Sequence, residues 1–259
     1  MNLYERTRPR PLHDSLVMTV RSMRHSFREI DVLMIGIMMP VMLMLLMTVV
    51  FGGAMDVGAA DYVDYVVPGV LLLCAGYGAS LTAVSVTQDM AGGIVNRFRT
   101  MNVFPAAILF GHVSASLMRN IVSTALVIAT ALLIGFRPSA GPVEWFAIAG
   151  LMLLFIVALS WMSAVVGLIA NHVETASAFG FFFVFLPYLS GAFVPVHTLP
   201  SWLQPIAEHQ PITPIGETLR GLLFRTTIEQ YGWIAVTWCG GILLVSAAVG
   251  AVLWRNRSG

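Results

Sequence analysis

Uncharged stretches long enough to cross a bilayer recur along the chain, and they constrain its fold more than any other feature. Residues 32–55, 65–88, 145–171, 175–196 and 230–254 contain no acidic or basic side chain. A sixth stretch, 107–135, holds only His112 and Arg119 and has an uncharged core at 120–136. About 20 apolar residues carry a helix across the ~30 Å hydrocarbon core. Backbone groups find no water there, so each stretch must satisfy its own hydrogen bonds as a helix. The pattern predicts an all-α integral membrane protein with six transmembrane helices. Pro40 removes a backbone donor from the first and is expected to bend it.

Composition narrows the function. Charged residues make up 10% and apolar ones 58%, against roughly 25% and 45–50% in soluble domains. No charged block is large enough for a second, soluble domain. All 14 basic residues are arginine. A nucleotide-binding P-loop needs a lysine that reaches the phosphates, so this chain holds no Walker A site. If ATP drives it, the ATPase is another polypeptide. Cys74 and Cys239 both fall in apolar stretches and predict no disulfide scaffold. No nucleic-acid partner and no metal site are expected.

Residues 1–31 carry Arg6, Arg8, Arg10, Arg21, Arg24 and Arg28. Leu12, Leu16, Val20, Met23, Phe27 and Ile30 recur at helical spacing among them. The segment 12–30 therefore reads as an amphipathic helix in the cytoplasmic interface, which a partner-packing role would also suit. The polar residues before the first span argue against a cleavable signal. Arginine placement orients the bundle: ten fall on the side of the N-terminus, the 89–106 loop and the C-terminus, and three on the other. Both termini are expected in the cytoplasm. The domain reading is a tail and interfacial helix at 1–31, a membrane domain at 32–254 and a tail at 255–259.

Between 179 and 224 an apolar span runs into prolines and then an amphipathic segment. Its Leu189, Ser190, Gly191, Phe193, Pro195, Leu199, Pro200, Trp202, Leu203, Pro211, Thr213, Pro214, Arg220, Gly221 and Leu222 resemble the pattern that follows the fifth helix of ABC-2 type transporter permeases of the daunorubicin-resistance kind. Pro40, Phe51-Gly52-Gly53 and the run from Tyr65 to Gly69 resemble the same family's first two helices. The resemblance implies the ABC-2 (type V exporter) fold, with short re-entrant helices at 197–229 capping a transport cavity. It also implies a bacterial plasma membrane, an ATP-binding subunit in two copies carrying ATP and Mg, and a second permease as homodimer or heterodimer.

Three sets of residues are the candidates for function. Asp89, Gly92, Gly93, Ile94, Arg97, Phe98 and Arg99 resemble the family's coupling stretch at 89–104, which docks on the ATP-binding subunit. Glycines permit a turn off the membrane helix, Ile94 and Phe98 could fill a pocket, and the arginines supply directional donors. Topology and lipid phosphate contact explain the arginines as well. Pro195, Trp202, Glu217 and Arg220 mark the outer segment: Trp202 suits an interface, and Glu217 and Arg220 can pair on one helical face, although a surface pair contributes little. Met38, Met42, Phe179, Phe182, Phe183 and Tyr188 offer soft or aromatic surface for greasy cargo, and equally for lipid or packing. Arg119 can snorkel to the cytoplasmic headgroups, so topology and packing are expected of it before cargo contact.

Rival classes fit less well. An ion-coupled secondary transporter of hydrophobic compounds needs charge at the midplane. An intramembrane enzyme needs a motif that is absent, since Ser190 lacks the G-x-S-x-G frame. The stretch from Glu174 to Gly180 mimics the start of an importer docking motif but lacks its continuation. The sequence predicts an exporter permease for hydrophobic or amphipathic drugs, lipids or metabolites, itself without catalytic residues.

Overall fold

The computed structural model describes residues 19, 20, 22, 30–53, 61–92, 107–228 and 230–258. Most of the interfacial helix expected at 12–30, and Gly93, Ile94, Arg97, Phe98 and Arg99 of the coupling stretch, lie outside the described residues. Those that are described form helices and turns, with no strand. The elements in order are α1 (Ile30–Leu45), α2 (Tyr62–Ala91), α3 (Ala107–Ile134), α4 (Pro142–Ile169), α5 (Val173–Phe185), α6 (Gln204–His209), α7 (Ile212–Phe224) and α8 (Tyr231–Ser258). Four of them (α2, α3, α4 and α8) are long and apolar enough to cross a membrane. Two shorter apolar segments, Gly36–Val50 and Val173–Leu189, accompany them.

α2 is the axis of the bundle. Its residues from Val66 to Ala75 are buried on every face, because α1, α3, α4, α5 and α7 all pack against it. A soluble helix shows one apolar stripe; a helix enclosed all round must be apolar all round. The approach of α5 is close enough to need a missing side chain. A Cβ on Gly76 would lie 2.7 Å from the Phe183 carbonyl oxygen, so glycine is required for the two backbones to touch.

The ends of the helices follow local chemistry. At α4, Pro142 stands in the first turn, where its missing N–H costs nothing. Glu144 accepts the Gly141 backbone N–H at 2.9 Å, half of a capping box. α7 stops where Arg225 adopts a left-handed conformation at φ 53°, an uncommon state for a residue other than glycine. Its side chain reaches back to Glu144, Nε to Oε1 at 3.2 Å, which joins the end of α7 to the start of α4.

The span expected at 175–196 is not one continuous α-helix. α5 ends at Phe185, and a 3₁₀ turn follows at Leu186–Leu189. Pro187 is the cause: a proline there cannot donate to the helix ladder and would clash with the preceding turn. The Ser190 hydroxyl then donates to the Pro187 carbonyl at 2.6 Å and accepts the Ala192 N–H at 3.1 Å. Those bonds turn the chain away from the helix axis. α1 also changes character, passing into a π-helical turn at Leu46–Phe51.

Candidate functional site

Polar side chains of the bundle collect at three levels, all of them touching α2. At the C-terminal end of α2, Asp89 lies three residues before Gly92, whose N–H closes the helix on the Gln88 carbonyl at 2.8 Å. Asp89 Oδ2 is 3.2 Å from His112 Nε2 of α3. The other ring nitrogen, Nδ1, is 3.4 Å from the Ser85 hydroxyl. A carboxylate only accepts, so Nε2 carries the proton, and in the neutral imidazole Nδ1 accepts from Ser85. The two side chains of the pair are 7% and 17% exposed.

At mid-bundle, Arg119 is the thirteenth residue of α3. Its Nη2 donates to Thr82 Oγ1 of α2 at 3.2 Å, and that hydroxyl donates to the Gly78 carbonyl at 2.7 Å. At ~1.5 Å per residue the guanidinium starts about 18 Å from the beginning of α3, and it turns across to α2. The Ser160 hydroxyl of α4 donates to Ser116 Oγ at 2.8 Å, and Asn120 Nδ2 donates to the Ser116 carbonyl at 2.9 Å. These bonds join α2, α3 and α4.

At the opposite end, Arg220 of α7 is gathered into a clasp. One Nη donates to Glu217. The other points to the carbonyls of Gly191 at 3.3 Å and Tyr65 at 3.4 Å. Its Cζ lies 4.0 Å from the centroid of the Tyr65 ring, a cation–π contact. Tyr65 Oη donates to the Gly191 carbonyl at 2.9 Å. The Glu217–Arg220 pair is therefore no surface pair: its side chains are 32% and 16% exposed, and it sits against α2 and the turn after α5. Trp202 stands apart, 71% exposed. Pro195 takes part locally, its carbonyl accepting the Thr198 hydroxyl at 2.7 Å.

The residues suggested for a cargo path are not brought into one cavity. Met38 and Met42 lie on the exposed face of α1, and Phe179 and Phe182 on the exposed face of α5 with Phe181 and Phe185. Phe183 is buried, and Tyr188 stacks on Phe193 with centroids 4.9 Å apart. A cavity of about 320 Å³ opens instead between α2, α3 and α4, lined by Leu71, Ile128, Trp145 and Met152 among others. Such a lining accepts apolar groups and offers no charge. Every Asp or Glu on the membrane helices stands within three residues of a helix end. No group of three metal-ligating side chains occurs among the described residues.

Sequence reading paired Glu217 with Arg220, but it gave Asp89 no partner and did not join the pair to Tyr65 and Gly191. Tyr65 and Gly191 did stand inside the motifs that carried the family resemblance, which is the signal that could have joined them to Arg220. Nothing in the sequence linked Asp89 to His112.

Comparison with known proteins agrees with this architecture. The family profile described as ABC-2 type transporter matches residues 14–224. The daunorubicin resistance ABC transporter permease protein DrrB1 of Streptomyces coeruleorubidus is 28% identical over 238 residues, covering 90% of this chain and 83% of that protein. The probable doxorubicin resistance ABC transporter permease protein DrrC of Mycobacterium tuberculosis is 24% identical over 251 residues, covering 94% and 89%. ABC transporter G family member 20 of Dictyostelium discoideum is 26% identical over 212 residues, 77% of this chain and 28% of that protein. The helical bundle built around α2 and the match that runs from before α1 to the end of α7 place this chain in the ABC-2 type transporter family.

Proposed function

We propose that the chain is the membrane half of an ATP-driven exporter for hydrophobic or amphipathic compounds. The family match over residues 14–224 carries this reading, and the two permease relatives, named for daunorubicin and doxorubicin resistance, support drug-like cargo. With no lysine in the chain, ATP and Mg belong to a separate ATP-binding subunit, two copies per pair of permeases. The paired permease is a second copy or a close relative, and the exposed aromatic face of α5 is available to it or to lipid.

Six crossings fit the helix lengths. α1 and its π turn give 16 and 6 residues, about 33 Å at ~1.5 Å per residue. α5 and its 3₁₀ turn give 13 and 4 residues, about 27 Å. With both termini in the cytoplasm of a bacterial cell, the 93–106 loop faces the ATP-binding subunit, and α6 and α7 form the outer, re-entrant cap. Arg97, Phe98 and Arg99, with Ile94 and the flanking glycines, dock on that subunit. The Arg220 clasp holds the cap to α2 and acts as the outer gate, while Trp202 anchors the cap at the interface.

Purification of the tagged chain in mild detergent tests the reading. An equimolar protein with Walker motifs should accompany the wild type and be lost from F98D, with both chains present in the membrane in equal amount. A wild-type chain recovered without an ATPase, with export indifferent to ATP depletion, would overturn it.

A further inference from the structure

We infer that Asp89 and His112 form a brace that makes the ends of α2 and α3 flanking the 93–106 loop move as one body when the ATP-binding subunit loads that loop. The inference rests on the ATP-driven reading above and goes further than it. It takes Asp89 out of the docking set and makes it a positioning residue.

The placement carries the argument. The chain exits α2 at Gly92 and enters α3 at Ala107. Asp89 stands three residues before the exit and His112 five after the entry, and they meet at 3.2 Å. One contact therefore joins the two stems just inside the loop. Ser85, one helical turn below Asp89, lies 3.4 Å from the second ring nitrogen, so both edges of the imidazole face α2. A ring engaged on both nitrogens has a fixed orientation, and a carboxylate at its Nε2 fixes the tautomer.

The chemistry makes the contact strong enough for the task. With exposures of 7% and 17%, the pair is screened from water, and a hydrogen bond to a charged group is stronger in such surroundings. Separating the two would break a charge-assisted hydrogen bond that is largely shielded from water. A push on the loop that tended to splay the stems would have to do that, so displacement is passed along both helices together. α2 also carries Tyr65 of the outer clasp at its far end, which makes it the natural lever.

The test uses two substitutions that differ in reach. Glutamine can place an N–H near the position of Nε2, whereas asparagine stops at the position of Nδ1 and cannot reach Asp89. Cys74 and Cys239 are first replaced by alanine, and spin labels are attached at the exposed positions Gln88 and Phe110. The distance between them is measured in the complex with the ATP-binding subunit, without nucleotide and with ATP trapped. The wild type and H112Q should give one narrow distance distribution, unchanged by ATP. H112N should broaden severalfold and shift on ATP binding. H112N behaving as H112Q does, or a wild-type distance that itself changes with ATP, would overturn the brace. Failure of the wild type to recover any ATP-binding subunit would instead overturn the exporter reading on which it rests.

Discussion

The two ends of α2 are held in contrasting ways. At the Tyr65 end, one arginine gathers a carboxylate, two backbone carbonyls and an aromatic face, and it unites three separate segments. At the Asp89 end, the described contacts are those by which His112 of one helix meets the Asp89 carboxylate and the Ser85 hydroxyl of the preceding one. The difference reflects what needs support. The Tyr65 end receives a chain broken by prolines, whose free carbonyls require donors, and guanidinium supplies five in a fixed fork. The Asp89 end joins two helices consecutive in the chain, and the described contacts there run between side chains. The many-partner clasp should therefore govern stability, and the two-partner brace should govern movement.

Substitutions can break or sharpen that contrast. R220L should have the largest effect, about 3 kcal/mol of stability, because Glu217 and two carbonyls lose a charged donor together. Unfolding in mixed detergent micelles would measure it, and a loss below that of T82V would reverse the ranking. T82V removes the hydroxyl between Arg119 and the Gly78 carbonyl, midway between the two ends. We expect about 1.5 kcal/mol in the same assay. Y65F keeps the ring under Arg220 and deletes only the bond to Gly191. A cost of about 1 kcal/mol is expected, and a cost equal to that of R220L would show that the clasp hangs on the tyrosine hydroxyl. S85A should be the mildest, about 0.5 kcal/mol, since the contact at 3.4 Å is long for a hydroxyl donor. If S85A destabilised the protein more than Y65F, the Asp89 end would be a stability element and the contrast would fail.

The candidate site was legible in proportion to how local its signals are. Glu217 and Arg220 are three residues apart on one helix, so their pairing could be read from spacing. That the pair would be half-enclosed by Tyr65 and Gly191 could not, because those residues stand 155 and 29 positions from Arg220. Arg119 shows the same limit. Hydropathy predicts only that an arginine in a membrane helix needs a polar partner, and headgroups and Thr82 both qualify. The rotation of α3 against α2 chooses between them.

By itself the sequence determined the solvent, the helices and the family. Apolar stretches of bilayer length leave the backbone no alternative to helix, and the proline-rich motif after the fifth stretch marks the ABC-2 type. The tertiary structure decided where α5 stops, that Arg119 faces Thr82, that His112 closes on Asp89 and that Arg220 closes on Tyr65. The physical reason is one of range. Helix formation and partition into lipid are set within a window of some 20 residues. Which side chains meet depends on the register and approach of helices distant in the chain, fixed here by contacts as fine as the bare Cα of Gly76 against the Phe183 carbonyl.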